Sequence, residues 1–421
     1  MEAYIARQPI FDADETVFAY ELLFRSGLEN AFSHDDPDEA SAKVMADGSL
    51  LMGLETLTGG KPAFINATRD ILLNDYFHLL PKEFATVEVL EDVEPDMEVI
   101  TACMRLKKAG YMLALDDFIY REELDDLIHL ADIIKVDFLA TVTPEERKAV
   151  VEKLGPIGVR FLAEKVETRE EFEQAAELGY EYFQGYFFSK PVIVTTKSVP
   201  AFKLNYMRIV REVQRPELNF TELDAIVKLE LSLTYKLLRY INSAYFGLRN
   251  KVSSIKHAIV MLGEREFRKW ISFVALAGMG EDKPDELVVE SLIRAKFCEA
   301  LAHMTGLTQR SEELFLLGMF SLLDAIMDQP FEQLLVGMPM DDDLKAALMG
   351  TQNRLKDVLD YAVAYGRGDW EQLEELADKL KMDGKGIPAL HLQTVRWAER
   401  SLAEVKGQTT VADKAGASSR R

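Results

Sequence analysis

Six short apolar runs in the first half of the chain each end in a polar side chain. They are Phe64-Ile65 before Asn66, Thr86-Val87 before Glu88, Leu113-Ala114-Leu115 before Asp116-Asp117, Ile133-Ile134 before Lys135, Phe161-Leu162-Ala163 before Glu164, and Tyr182-Phe183 before Gln184. From Asn66 onward these polar ends are 22, 28, 19, 29 and 20 residues apart. That is about the length of one strand, one helix and two loops in an α/β barrel. Parallel barrel strands deliver their last residues to one rim, so amides, carboxylates and a lysine far apart in sequence are expected to converge there. A rim this acidic suits hard divalent cations.

Composition sets the outer bounds. A chain of 421 residues with 48% hydrophobic content can bury one large core or two moderate ones, and two domains are the better expectation. The 49 basic residues against 71 acidic ones give a formal charge of −22, which repels phosphate backbones over most of the surface. Nucleic acid is therefore not expected as the primary ligand, although a local basic patch can hold one small nucleotide. Cys103 and Cys298 form no CxxC pair or disulfide framework and read as buried thiols of a reducing cytoplasm. The opening MEAYIARQPIFD has no apolar core of a leader peptide, and the longest apolar stretch, residues 314–323, is too short for a bilayer. A soluble, cytoplasmic protein is expected, without membrane association.

The first half alternates strands with helices such as residues 95–110, closed by Lys107, Lys108 and Gly110. After Lys190-Pro191 the strands stop. A helical region is expected from about Ala201, with capping signals at Asn219 and Thr221 to Asp224 and further helices over 235–242, 254–262, 264–277, 285–305, 311–327, 342–348 and 388–405. The tail GQTTVADKAGASSRR is small and polar, as disordered segments are. The division expected is a barrel over 1–195, a helical domain over 196–405 and a tail over 406–421, an α/β domain followed by an all-α one.

At Tyr20-Glu21-Leu22-Leu23-Phe24-Arg25 the chain resembles the EAL family of cyclic-di-GMP phosphodiesterases, with leucine in place of the alanine in that family's Glu-Ala-Leu. The remaining motifs follow in family order: Gln8-Pro9-Ile10, Phe64-Ile65-Asn66, Glu88-Val89-Leu90-Glu91, Leu115-Asp116-Asp117-Phe118, Lys135-Val136-Asp137, Ala163 to Thr168, and Gln184-Gly185-Tyr186. The resemblance implies a TIM-like (β/α) barrel that hydrolyses a phosphodiester with two divalent ions, Mg²⁺ or Mn²⁺, about 4 Å apart. It also implies a residue-by-residue assignment. Glu21, Asn66, Glu88 and Asp116 would hold one ion, and Asp116 with Asp117 the second. Lys135 would orient the attacking water, with Glu164 and Gln184 completing the water and metal shell. Arg25 would reach a substrate phosphate and Gln8 a guanine edge. Asp137 and Glu167 either join the site or brace Lys135 and a loop, and Glu91 would anchor the loop after Asp117.

That loop departs from the family pattern. Active relatives carry a Gly-Thr-Gly-like run after the paired aspartates, whereas here Phe118 is followed by Ile119-Tyr120-Arg121-Glu122-Glu123. Without glycine the backbone loses its permissive hinge. Hydrolysis therefore stays open against a catalytically silent cyclic-di-GMP receptor or a scaffold.

The second half resembles the HDOD domain, an all-helical relative of the metal-dependent HD phosphohydrolases. The residues concerned are Leu237 to Gly247, Val252-Ser253-Ser254-Ile255, Ala258-Ile259 and Leu262-Gly263. Where an HD enzyme carries its His-Asp pair this chain has Ser321-Leu322, and neither side chain suits a divalent ion. Asp324, two residues on, would point about 200° away from Leu322 on a helix. His257, His303 and His391 form no ligand spacing, and Asn242 and Ser243 read as helix-packing polar groups. Together the two halves resemble EAL–HDOD bacterial signalling proteins. The resemblance implies an output module that binds an unidentified protein partner, with a homodimer left open.

Overall fold

The computed structural model describes residues 3–26, 55–141, 143–190, 200–218, 241–242, 252, 257 and 261–407. By its internal contacts the chain divides into two units. Unit 1 holds Met1–Lys190 together with Ala364–Glu374 and Gly384–Leu392, and unit 2 holds Pro191–Val363, Glu375–Asp383 and Gln393–Arg421. Residues 364–374 and 384–392, inside the stretch read from sequence as the helical domain, thus pack with the barrel.

Unit 1 is a closed eight-stranded barrel in sequential order. Its strands are β1 (Ala3–Asp12), β2 (Val17–Ser26), β3 (Ala63–Ala67), β4 (Ala85–Val89), β5 (Met112–Leu115), β6 (Ile133–Asp137), β7 (Arg160–Glu164) and β8 (Tyr182–Gln184). From β2 to β8 neighbours pair in parallel, but β1 runs antiparallel to both β2 and β8. A tight turn between Asp12 and Thr16 joins β1 to β2, with Asp12 Oδ1 accepting from the Asp14 and Thr16 amides, and so short a link can only connect antiparallel neighbours.

Helices α1 (Arg69–Leu73), α2 (Met97–Ala109), α3 (Asp125–Leu130), α4 (Pro144–Leu154) and α5 (Arg169–Leu178) follow β3 to β7 in turn. Their ends follow from local chemistry. Asp96 caps α2 by accepting from the Glu98 and Val99 amides, and Gly110 closes it at φ 96°. Thr143 with Glu146, and Thr168 with Glu171, form reciprocal capping boxes on α4 and α5. Inside the barrel Ile10, Ala19, Phe64, Ala114, Ile133, Leu162 and Tyr182 make one packed layer. Above it, the later segments of unit 1 close against the hairpin. The Tyr4 hydroxyl donates to the Gly384 carbonyl at 2.7 Å, and Tyr4 meets Tyr365 at 5.9 Å between ring centroids.

The regular elements among the described residues of unit 2 are all helices. The unit contains α6 (Ala201–Val213), α7 (Glu264–Met279), α8 (Asp285–Met304), α9 (Ser311–Phe320), α10 (Leu323–Met327), α11 (Phe331–Leu334) and α12 (Asp342–Leu348), then the larger parts of α13 (Arg354–Arg367), α14 (Trp370–Leu380) and α15 (Ile387–Lys406). The single helix expected over 311–327 is two helices. The chain breaks at Ser321-Leu322, where the Ser321 hydroxyl folds back onto the Gly318 carbonyl at 2.8 Å. Asn242 clamps Val252, its amide donating to the Val252 carbonyl at 2.8 Å and its oxygen accepting the Val252 amide at 2.7 Å. Most of the residues behind the HDOD resemblance, the expected capping signals at 219–224, Ser243 and the tail beyond 407 lie outside the described residues.

Candidate metal-binding rim

Side chains on a strand alternate between faces, so a residue two positions beyond a barrel-core residue also points inward. Ala19, Phe64, Ala114, Ile133, Leu162 and Tyr182 belong to the core layer. Two positions further lie Glu21, Asn66, Asp116, Lys135, Glu164 and Gln184, and Glu88 stands in the same relation to buried Thr86. On reversed β1 the step runs backwards, from Ile10 to Gln8. Register sets Glu21 opposite Gln8 and Asn66 opposite Glu88, while the stagger of the barrel sets Glu21 beside Phe64, Glu88 beside Ala114 and Lys135 beside Leu162, so the polar side chains gather directly on top of the core layer.

Lys135 occupies the middle. Its side chain is 1% exposed, and its ammonium ion-pairs with Glu88, with Asp116 and Glu164 at 2.8 Å each, and with Glu21 at 3.7 Å. One ammonium thus faces four carboxyl groups. Burial alone would lower the Lys135 pKa, but Glu164, Glu21, Glu88 and Asp116 together hold it well above its usual value. Burial drives Glu88 well above the ordinary carboxylate range, against the opposing pull of Lys135, and pushes Glu164 up to about 8. Asp116 goes the other way: despite its burial, the charge and hydrogen bond of Lys135 hold it low.

Oxygens of Glu21, Glu88 and Glu164 lie within 4.8 Å of one another, and so do those of Asp116, Asp117 and Glu164. The buried Asn66 Oδ1, Glu88 Oε2, Glu164 Oε2 and Gln184 Oε1 accept no hydrogen bond. A buried acceptor with no donor is costly, so these atoms are arranged for a ligand that brings positive charge. All-oxygen donors of this kind fit a hard divalent cation.

The other expected residues divide. Gln184 donates to Glu21 Oε2 at 2.6 Å and to Gln8 Oε1 at 3.1 Å, so both glutamines join the rim network. Gln8 also donates to the Arg367 carbonyl at 2.8 Å. Arg25, on the same face of β2 as Glu21, pairs with Glu374 at 3.4 Å. Asp117 lies one residue past the inward layer at φ 39° and meets Lys165 at 3.4 Å. Asp137 binds the same lysine at 2.6 Å, while Glu167 pairs with Lys190 at 2.8 Å. Sequence reasoning missed Lys165, although it directly follows Glu164. It also missed Arg367 and Glu374, which no motif marks.

Ser321 and Asp324 are held by neighbouring groups of the protein. Arg294 donates to the Ser321 hydroxyl at 3.3 Å, and Asp324 Oδ1 accepts from the Ala325 amide at 2.9 Å. A third acidic group, Glu313, Asp341 and Asp343, is mostly exposed, and Arg310 pairs with both Glu313 and Asp343, at 2.5 Å for the latter. Among the described residues no helix is long and apolar enough to cross a membrane.

A barrel with one reversed strand and a lysine-centred acidic rim, together with a helical second unit, defines a two-domain class of protein. The EAL domain family matches residues 38–191 and the HDOD domain family residues 199–327. The chain belongs to the EAL–HDOD family. It is 36% identical over 409 residues to the uncharacterized protein YuxH of Bacillus subtilis, covering 94% of this chain and 98% of that one. It is 35% identical over 398 residues to the cyclic di-GMP phosphodiesterase CdgJ of Vibrio cholerae, covering 94% of this chain and 92% of the relative. Among solved structures, the calcium/cyclic-di-GMP complex of Klebsiella pneumoniae BlrP1 aligns with 45% of this chain and 56% of its own at 23% identity and a TM-score of 0.39.

Proposed function

We propose that the rim binds cyclic-di-GMP through divalent cations and hydrolyses it to the linear dinucleotide. The observation that carries this reading is the convergence of Glu21, Asn66, Glu88, Asp116 and Glu164, with orphaned buried acceptors among them, around the buried ammonium of Lys135. The 35% identity to CdgJ over nearly the whole of both chains supports the same substrate.

Glu21, Asn66, Glu88 and Asp116 would hold one ion, and Asp116 with Asp117 the second. Such ions neutralise phosphate charge and lower the pKa of bound water. The chain's own groups do the rest. Lys135 would orient the attacking water and donate to charge developing on the phosphoryl oxygens. Glu164, ionised by the charge of the bound ions, would take a proton from that water. The water oxygen would bond to phosphorus as the bond to one ribose oxygen breaks, and that oxygen would leave as a hydroxyl by taking up a proton from solvent. Gln184 fixes Gln8 and Glu21 relative to each other, and the Gln8 amide would exchange the Arg367 carbonyl for a guanine edge. Arg25 would exchange Glu374 for a substrate phosphate.

A second reading, a receptor without turnover, is favoured by the glycine-free segment after Asp117 and by the engagement of the Asp117 carboxylate by Lys165. In either case the helical unit would act as a protein-binding output module in the reducing cytoplasm, where Cys103 and Cys298 stay free.

The test uses the purified full chain with cyclic-di-GMP and Mg²⁺ or Mn²⁺, followed by chromatography for product and calorimetry for binding. Linear dinucleotide that disappears in Glu21→Ala supports hydrolysis, and binding without product supports the receptor. Equal affinity in excess EDTA would refute a metal-bridged site.

A further inference from the structure

Lys165 has no part in the assignment above, yet its backbone is held in an unusual state. It sits at φ 54°, in the left-handed region that residues with a β-carbon avoid. The following residue locks it there: the Val166 amide donates to the Gln184 carbonyl at 3.0 Å, and the Phe187 amide donates to the Val166 carbonyl at 3.1 Å. Backbone strain of this kind at a rim is a pointer to function.

From this turn the ammonium reaches Asp137 Oδ2 at 2.6 Å and Asp117 Oδ1 and Oδ2 at 3.4 and 3.5 Å. Asp117 is left-handed as well, at φ 39°. It is the outermost member of the Asp116, Asp117 and Glu164 group, in which Glu164 Oε2 is buried and accepts no hydrogen bond. The inner group of Glu21, Glu88 and Glu164 ion-pairs with the buried Lys135. The rim therefore carries one internal positive charge in its centre and another at its outer edge.

We propose that Lys165 serves as a built-in cation at the outer edge of the rim, so that the chain binds one divalent ion tightly at the inner carboxylates and admits a second at Asp116–Asp117–Glu164 only against the charge of this ammonium. The inference rests on the reading of the rim as a divalent-metal site and concerns how many ions it takes. Lys165 is 45% exposed, so solvent screens it. A unit charge roughly 5 Å from a divalent ion in a water-like dielectric weakens binding by about tenfold.

The test is a Mn²⁺ titration of the nucleotide-free full chain, stripped of metal beforehand and followed by electron paramagnetic resonance and calorimetry. Lys165→Gly removes the ammonium while favouring the left-handed backbone, and Lys165→Arg keeps the charge. Lys165→Asn, which also tolerates that backbone, repeats the measurement if the glycine variant loses structure. Wild type should bind a second ion at least about tenfold more weakly than the first. In Lys165→Gly the second should tighten by about tenfold with the first nearly unchanged, and Lys165→Arg should follow wild type. Identical second-ion affinity in wild type and Lys165→Gly would overturn the role of Lys165 and leave the metal rim standing. Absence of any bound Mn²⁺ in both proteins would overturn the rim reading and this inference with it.

Discussion

Glu88→Gln separates the electrostatics of the empty rim from those of the filled one. Glu88 is wholly buried, one of its oxygens accepts from Lys135, the other accepts nothing, and burial holds its pKa well above the carboxylate range. Glutamine has the shape of a protonated glutamic acid and keeps an oxygen for Lys135. In EDTA the substitution should therefore change stability by less than about 1 kcal/mol, whereas breaking an ionised buried pair costs about 3–5 kcal/mol. With metal the balance reverses. An ion held at a concentration a hundred times its dissociation constant stabilises the fold by about 2.7 kcal/mol, which for a unit of roughly 200 residues raises the melting temperature by about 5–10 °C. Wild type should show that rise with Mn²⁺ in differential scanning fluorimetry, and Glu88→Gln should lose most of it. If Glu88→Gln kept the full rise, Glu88 would not be a ligand. If it lost several kcal/mol in EDTA, Glu88 would be ionised in the metal-free rim and the account of its burial would fail.

Three further outcomes are expected. Gly185 lies at φ 147°, and a β-carbon there would overlap the Val166 carbonyl, so Gly185→Ala should detach the β8 end of the rim and lower the barrel's urea midpoint while leaving far-UV circular dichroism largely helical. His391 is buried against Tyr365, and burial, followed by the charge of Arg7, lowers its pKa to about 3. Because that value lies below the unfolded one, the stability held by neutral His391 is complete above about pH 6.5. It falls by up to about 1.4 kcal/mol per pH unit as the pH drops toward 3, and urea titrations between pH 7 and 4 should show a shallower slope in His391→Gln. In unit 2, a β-carbon on Gly318 would enter the Arg294 backbone, so Gly318→Ala should pry α9 from α8 and cost about 2–4 kcal/mol in thermal unfolding.

The barrel was legible because strands β3 to β8 repeat one device, an apolar pair followed by a polar residue on the inward face. The same device led to the rim, since Asn66, Glu88, Asp116, Lys135, Glu164 and Gln184 all follow a core residue by two positions. The reversal of β1 was not legible, because a strand in an antiparallel hairpin needs no helix before it and stands outside the repeat. Helix α13 left a readable trace that went unused: Leu355, Val358, Leu359 and Ala362 are all buried and follow helical spacing. The break at Ser321 was hidden, since the apolar residues on both sides are buried and the pattern runs through it. Lys165 was invisible for a different reason. A lysine beside a conspicuous glutamate looks like ordinary surface, and only its left-handed backbone and its distances to Asp117 and Asp137 distinguish it.

Tyr4 and Gly384 share a hydrogen bond across 380 positions of sequence, and the barrel unit is closed by segments that begin at Ala364. A ribosome adding about 5–20 residues per second needs roughly 10–40 s to travel from the end of β8 to these segments. During that interval Tyr4, Leu23 and their neighbours on the β1–β2 hairpin have emerged without the residues that later cover them. A nascent chain of this protein therefore exposes an apolar hairpin edge until residues 364–392 have followed, and it is over this window that a chaperone or a premature stop would have its effect.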